Sequence, residues 1–121
     1  MKTQKAVIWF GYIFIVIGIL GFIPGVTTNG HILGIFHVDA VHNVIHLLSG
    51  IIALLCAGSF GAAKTYFKIF GIVYAIVAII GLVSGVSVLG IFPVNMADNI
   101  LHIVIAVLAL ALGFGGSKTE L

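Results

Sequence analysis

Hydrophobic residues form four long runs in this chain, and shorter segments richer in glycine and polar residues separate them. Each run has about 20 residues, the length that an α-helix needs to cross the hydrocarbon core of a membrane. Pro24 and Gly25 end the first run, since proline removes a backbone donor and glycine accepts a left-handed cap. The pattern predicts an all-α integral membrane protein, a four-transmembrane-helix bundle in one domain. The predicted domain covers 1–121, with helices over about 6–26, 39–58, 69–86 and 95–114, a polar turn at 59–68 and a frayed tail at 115–121.

One segment of the chain occurs twice, first as Leu33–His46 and then, 56 residues later, as Leu89–His102. Residues before each copy also correspond, at an offset of 60, and the difference of four residues is the insertion Thr27–Gly30 in the first copy. Each repeat is therefore predicted to be a helical hairpin. We expect two tandem helical-hairpin repeats, residues 6–58 and 66–114, related by a pseudo-two-fold axis along the membrane normal.

The composition agrees with a membrane location. Hydrophobic residues make up 62% of the chain and charged residues only 7%, whereas roughly a quarter of the residues in soluble domains are charged. The net charge of +2 is too small and scattered to indicate nucleic acid as a partner. The single cysteine, Cys56, lies in an apolar run, so no intramolecular disulfide is possible and a buried, inert thiol is expected.

The lysines predict the orientation of the four spans. All five fall on one side of the membrane in this arrangement, and the two loops that carry the repeated motif have no lysine or arginine. By the positive-inside rule, both termini are expected in the cytoplasm and the motifs at the outer surface. The lysines are Lys2, Lys5, Lys64, Lys68 and Lys118.

Polar side chains concentrate in the two copies of the motif, near the start of the second and fourth helices. Their spacing of three or four residues places them along one face of each helix. Asp39 and Asn95 are at the N-cap positions, where a side-chain oxygen can accept from the free N–H groups of the first turn. The candidate polar cluster, for ligand binding or helix packing, consists of His42, Asn43, His46, Asp98, Asn99 and His102.

The first interpretation of this cluster is structural. Asn43 and His46 of one repeat, with Asn99 and His102 of the other, would exchange hydrogen bonds between helices or hold the preceding loops. Such bonds are weak in membranes, about 0.6 kcal/mol on average in one system, but they determine which helix faces meet.

The second interpretation is a metal or haem site. His42 and His46 are four residues apart on one helix, and His102 and Asp98 on the other could add nitrogen and oxygen ligands for zinc or copper. Alternatively, His46 and His102 could be the axial ligands of a haem between the helices. The sequence by itself assigns no cofactor. The alternative is that the site holds a haem or a divalent transition metal.

A third interpretation is a pocket that opens outward, in which the histidines titrate or orient a small ligand. The helices have no aspartate, glutamate, lysine, arginine or histidine between the motifs and the lysine side, so a path for ions across the bilayer is not expected. His31 and His37 in the first loop are predicted to be exposed, unless they assist His42 as ligands. The apolar segments Leu33–Phe36 and Leu89–Phe92 are expected to lie in the outer interface or to fold back over the bundle.

The segments Gly21–Thr28, Leu33–His46 and Pro93–His102 resemble a bacterial family of small four-span proteins, domain of unknown function 4383. The resemblance covers nearly the whole chain. It implies a multi-pass protein of the bacterial cytoplasmic membrane and brings no activity with it.

No nucleophile arrangement, phosphate-binding loop or cysteine ligand set is present in the sequence. We therefore favour a non-enzymatic protein, a structural or accessory membrane component whose outward-facing His/Asn cluster offers a ligand site. The alternative is a metal- or haem-binding membrane protein using His42, His46 and His102. Its expected surroundings are the lipid bilayer, with a second copy or another membrane protein as a partner.

Overall fold

The computed structural model describes residues 2–115, and it confirms four helices that are long and apolar enough to cross a membrane. The rest of the predicted tail, residues 116–121 with Lys118, lies outside the described residues, as does Met1. The described helices are α1 (Thr3–Leu20), α2 (Ala40–Leu55, continued by a 3₁₀ turn Cys56–Gly58), α3 (Phe60–Ser84) and α4 (Met96–Gly115).

The first helix ends at Leu20, before the predicted end of the span at 24–26. The backbone tightens after this point, because the N–H groups of Phe22 and Ile23 donate to carbonyls only three residues back. The hydroxyl of Thr27 donates to the carbonyl of Leu20 at 2.7 Å. A carbonyl at the end of a helix has no partner within that helix, so this bond from the loop stabilises the early stop.

The third helix begins at Phe60, nine residues before the predicted start, so most of the expected polar turn is helical. The side chain of Ser59 caps this helix by accepting from the N–H of Ala62 at 3.1 Å. Lys64 lies within this helix, and its ammonium group is 5.5 Å from the centre of the Phe60 ring, a cation–π distance. A serine cap followed by good helix formers outweighs the polarity of the segment.

Both motif loops contain short antiparallel strands, which the sequence analysis did not predict. The strands of the first loop are β1 (Thr27–Thr28), β2 (His31–Ile32) and β3 (Phe36–His37), and those of the second loop are β4 (Ser87–Val88) and β5 (Phe92–Pro93). They form one three-stranded and one two-stranded sheet. Strands of two residues are too short to show the alternation that identifies a strand in a sequence.

The repeated Leu-Gly pair is the turn of a β-hairpin in each loop. The φ angles of Leu33 and Gly34 are 54° and 71°, and those of Leu89 and Gly90 are 53° and 69°. Two successive positive φ angles are the mark of the type I′ turn, which matches the twist of paired strands. Asparagine or aspartate is usual where leucine stands here, so the turn was not visible in the sequence.

Small residues allow the helices to approach closely, α1 against α2 and α3 against α4. A Cβ at Gly11 would lie 2.6 Å from a methyl carbon of Leu54, and one at Gly71 would lie 2.9 Å from a methyl carbon of Leu110. At the end of the bundle that carries the four described lysines, the lysine end, the core includes Val7 of α1 and Phe67 of α3. The opposite end, with the β2–β3 and β4–β5 hairpins, is the hairpin end. The pseudo-two-fold axis and the repeat boundaries stay predictions.

Candidate functional site

Three histidines meet inside the bundle near the hairpin end. His42 and His46 come from successive turns of α2, and His102 comes from α4. The ring centres are 4.6 Å apart for His42 and His46, 5.7 Å for His42 and His102, and 6.3 Å for His46 and His102. One nitrogen from each ring can be chosen so that all three lie within 4.8 Å of one another. The three residues form the histidine triad.

The triad is buried, and several of its nitrogens have no partner among the described residues. The exposed fractions of His42, His46 and His102 are 1%, 3% and 1%. The ring nitrogens of His42 and the Nδ1 atoms of His46 and His102 make no hydrogen bond of good geometry, although the backbone of His37 and of Pro93 lies near the His42 ring. A buried polar atom without a partner costs free energy, about 1–3 kcal/mol in proteins. Unpartnered buried atoms also occur at Thr3, Asn43 and Asn99, but the triad has most of them.

All three histidines line one cavity of about 210 Å³ between α2 and α3. Ser49 of α2 and Tyr74 of α3 form part of its wall. The ring of Phe92 closes the cavity toward the hairpin end, with its centre 4.7 Å from that of His42. A second cavity, of about 130 Å³, lies on the other side of His46, between α1, α4 and the first loop.

Tyr74 and Ser49 join the site although the sequence analysis did not select Tyr74. Ser49 donates through its hydroxyl to the carbonyl of Ile45 at 2.8 Å, and the Ser49 and Tyr74 hydroxyl oxygens are 3.0 Å apart. Since the only proton of Ser49 is used, Tyr74 is the donor in the second bond. The Tyr66 hydroxyl donates to the Ser49 carbonyl at 2.9 Å. The only signal in the sequence that could have identified Tyr74 was its place within an apolar span, where a tyrosine hydroxyl needs a hydrogen-bond partner.

Asp98 is part of a helix cap and is not among the ligand atoms of the triad. Its carboxylate accepts from the N–H of Asn95 at 2.9 Å, and the Asn95 side chain accepts from the N–H of Asp98 at 2.9 Å. This reciprocal pair is a capping box at the start of α4. The same carboxylate oxygen accepts from the N–H of His37 at 3.1 Å, so it also holds the first β-hairpin. The sequence interpretation that gave Asp98 to a metal is not supported by this arrangement.

Asp39 caps α2 by accepting from the N–H of His42 at 2.8 Å. His42 therefore stands at the same position of its helix as Asp98 does in α4, where it cannot complete a capping box as a carboxylate would. The residue of the second loop that corresponds to His37 is Pro93, which has no N–H to donate. A carboxylate at position 42 would face Pro93 and would have no such N–H to accept from. The chain has a histidine at this position, and its ring belongs to the triad.

Asn43 and Asn99 pack against glycines of the preceding helices. A Cβ on Gly21 would collide with the Oδ1 of Asn43, and a Cβ on Gly81 would collide with the Oδ1 of Asn99. In both helix pairs, α1 with α2 and α3 with α4, the hydrogen that replaces Cβ in glycine therefore points at the amide oxygen. This is the direction of a weak Cα–H···O contact. Both asparagines are buried, and these contacts give them a role in helix packing.

His31 and His37 lie outside the triad, as a cross-strand pair of the first loop. Their rings stack with centres 4.6 Å apart and planes 6° from parallel. The Nδ1 atom of His31 lies 2.8 Å from the carbonyl of Asn29, so it carries the proton of this ring. Both side chains are half-buried, where the sequence analysis expected exposed loop residues.

This molecule is thus a small four-helix membrane protein with a buried histidine triad and capped, hairpin-bearing loops. The model of one protein family, described as a domain of unknown function (DUF4383), matches residues 4–115. The chain belongs to this family, which confirms the resemblance found in the sequence. Searches among curated proteins and among solved structures find no match to it.

Proposed function

We propose that this membrane protein binds one transition-metal ion through His42, His46 and His102. The observation that carries the proposal is the convergence of three buried imidazoles whose nitrogens lie within 4.8 Å of one another. Their unpartnered nitrogens are available as ligands, and neutral imidazole nitrogen suits zinc and copper. A bound ion would offset the cost of burying these atoms.

The distances call for a small adjustment of the ligands. Tetrahedral zinc has bonds to nitrogen of about 2.0–2.1 Å, which places neighbouring nitrogens roughly 3.4 Å apart. The rings therefore move inward by about an ångström when the ion binds. His42 and His46 can do so by side-chain rotation, since both face the cavity between α2 and α3.

The arrangement favours a single ion over haem. A haem between His46 and His102 needs a flat gap for the macrocycle, and His42 stands beside both rings, with its centre 4.6 Å and 5.7 Å from theirs. The two cavities at the triad, of about 210 and 130 Å³, are on opposite sides of His46. Three imidazole ligands around one ion fit this divided space better than a haem macrocycle does.

The proposal includes the orientation of the protein, with the hairpin end outside and the termini in the cytoplasm of a bacterial cell. The absence of lysine and arginine from residues 27–38 and 87–94 supports it, as does the position of the four described lysines at the opposite end. The triad then lies in the outer leaflet. Large apolar side chains exposed on all four helices, such as Trp9, Ile79 and Val107, contact the lipid.

Metal analysis of the purified protein tests the proposed site. The protein in detergent micelles, after incubation with Zn²⁺ and removal of free metal, is expected to retain one ion per chain. The variants His46→Ala and His102→Ala lose it, because two imidazoles bind a divalent ion far less tightly than three. The matched control is His31→Ala, which removes a loop histidine outside the triad and keeps the ion.

Retention of metal by His46→Ala and His102→Ala, or its loss from His31→Ala alone, contradicts the proposal. If the unchanged protein retains no Zn²⁺ or Cu²⁺ and the triad variants are only less stable, the cluster serves helix packing. Circular dichroism and thermal unfolding of each variant separate loss of a ligand from loss of the fold.

A further inference from the structure

The cavity between α2 and α3 brings a hydroxyl group to the same space as the three imidazoles. His42, His46 and His102 line it together with Tyr74, whose ring centre is 5.6 Å from that of His102. The remaining wall is mostly apolar, with Val73, Val77 and Phe92 among its residues. A role for this cavity in metal chemistry rests on the proposed function, the binding of an ion by the triad.

Three imidazoles do not complete the coordination of a divalent ion. Zinc with three protein ligands takes a water molecule or a substrate in the fourth position, whereas closed structural sites have four protein ligands. In the part of the chain that the structure describes, no fourth histidine, cysteine, aspartate or glutamate joins the triad. The described chain thus offers no fourth ligand of the kinds that zinc usually takes, and the cavity is the space beside the triad that can hold one from outside.

The hydrogen bonds of the wall determine which ligand fits. Ser49 donates to the Ile45 carbonyl, so Tyr74 donates to Ser49. The proton of Tyr74 is therefore directed at Ser49, and its oxygen, which belongs to a residue of the cavity wall, keeps a lone pair that can accept. This oxygen can accept a hydrogen bond from a ligand that carries a proton, such as water or hydroxide. It makes no hydrogen bond with an anion that has no proton to donate.

We propose that the metal of the triad keeps an open fourth position in the cavity between α2 and α3, occupied by water or hydroxide that donates to the oxygen of Tyr74. Hydroxide has a further advantage, because three neutral imidazoles leave the full charge of a divalent ion in an apolar bundle. An anionic fourth ligand reduces this charge and the cost of burying it. The site is thus an exchangeable one.

Cobalt(II) bound at the triad tests the open position, since its visible absorption changes when a ligand is exchanged. Azide, an anion without a proton to donate, is titrated into the Co²⁺-loaded protein in detergent. We expect a saturable spectral change. In Tyr74→Phe the competing water loses its acceptor, so azide is expected to bind about fivefold more tightly, the factor of one hydrogen bond.

Two further variants separate the cavity from the rest of the bundle. Val77→Phe fills the cavity, and we expect it to bind Co²⁺ but to lose the azide response. Ile13→Phe makes the same kind of change in the groove between α1 and α4, away from the triad, and keeps the response.

A Co²⁺-loaded protein whose spectrum does not respond to azide overturns the open position while the metal site stands. An unchanged or weaker azide affinity in Tyr74→Phe overturns the assigned direction of the hydrogen bond, and so the proposal. A protein that binds no Co²⁺, Zn²⁺ or Cu²⁺ overturns both this proposal and the proposed function.

Discussion

Gly21 and Gly81 show how single residues determine the packing of α1 against α2 and of α3 against α4. Each leaves the space that an asparagine amide fills, Asn43 in the first hairpin and Asn99 in the second. Both asparagines precede a histidine of the triad by three residues in the sequence. Any displacement of the amide therefore shifts the helix turn that carries the imidazole.

The substitution Gly81→Ala tests this packing. The added methyl group collides with the Oδ1 of Asn99, and overpacking of this kind costs about 1–3 kcal/mol. Unfolding of the protein in mixed micelles with increasing SDS, followed by circular dichroism, measures the loss.

The matched control is Gly61→Ala in the same helix. Nothing lies within 4 Å of a Cβ at Gly61, and its φ angle is not in the left-handed region, so the free energy of unfolding should stay the same or rise slightly. An equal loss in both variants would show that the contact with Asn99 is unimportant.

At the scale of elements, the capping box of α4 connects the two repeats. The Asp98 carboxylate accepts from the N–H of Asn95 in its own repeat and from the N–H of His37 in the other repeat. The Asn95 side chain also donates to the carbonyl of Ile35 at 2.8 Å. The first β-hairpin is therefore fixed by the start of α4, next to the triad.

Removal of the two capping carboxylates should have unequal effects. Asp39→Ala removes one accepted hydrogen bond at the start of α2 and should cost about 1 kcal/mol. Asp98→Ala leaves two N–H groups without their acceptor and should cost roughly twice as much, about 2–3 kcal/mol. The same SDS titration measures both.

Hydrogen exchange of the backbone amides gives a second measurement for Asp98→Ala. The N–H of His37 should exchange faster, because its bond crosses between repeats and no other part of the loop replaces it. Equal stability losses in the two variants would mean that the bond to His37 contributes nothing.

At the scale of the whole molecule, charge separates the two ends of the bundle. Lys2, Lys5, Lys64 and Lys68 lie at the lysine end, and the described loops of the hairpin end contain only Asp39 as a charged residue apart from histidine. By the positive-inside rule, this asymmetry predicts the orientation that we propose, with the lysine end in the cytoplasm.

Labelling of single cysteines in intact bacterial cells tests the orientation. In a Cys56→Ala background, Asn29→Cys in the turn between β1 and β2 should react with a maleimide that cannot cross the membrane. Lys64→Cys should react only after the cells are permeabilised. The opposite pattern would reverse the topology and place the triad in the inner leaflet.

The four spans were predictable from the sequence because a membrane demands about 20 consecutive apolar residues per helix, a signal that needs no knowledge of contacts. The N-caps were predictable for the same reason, since Asp39 and Asn95 act within their own first turn. Helix ends were less accurate: α1 stops early because Thr27 of the loop binds its last carbonyl, and α3 starts early because Ser59 caps it.

The sequence by itself determined that the polar chemistry of this protein lies in two copies of one motif, on faces that turn toward the inside of a membrane bundle. Only the tertiary structure decided how the motif is divided. It directs the Asp98 carboxylate to backbone N–H groups, places Asn43 and Asn99 against glycines, and brings His42, His46 and His102 together with Tyr74. Periodicity shows which face of a helix a residue occupies, whereas the partner on that face depends on how separate helices and loops pack.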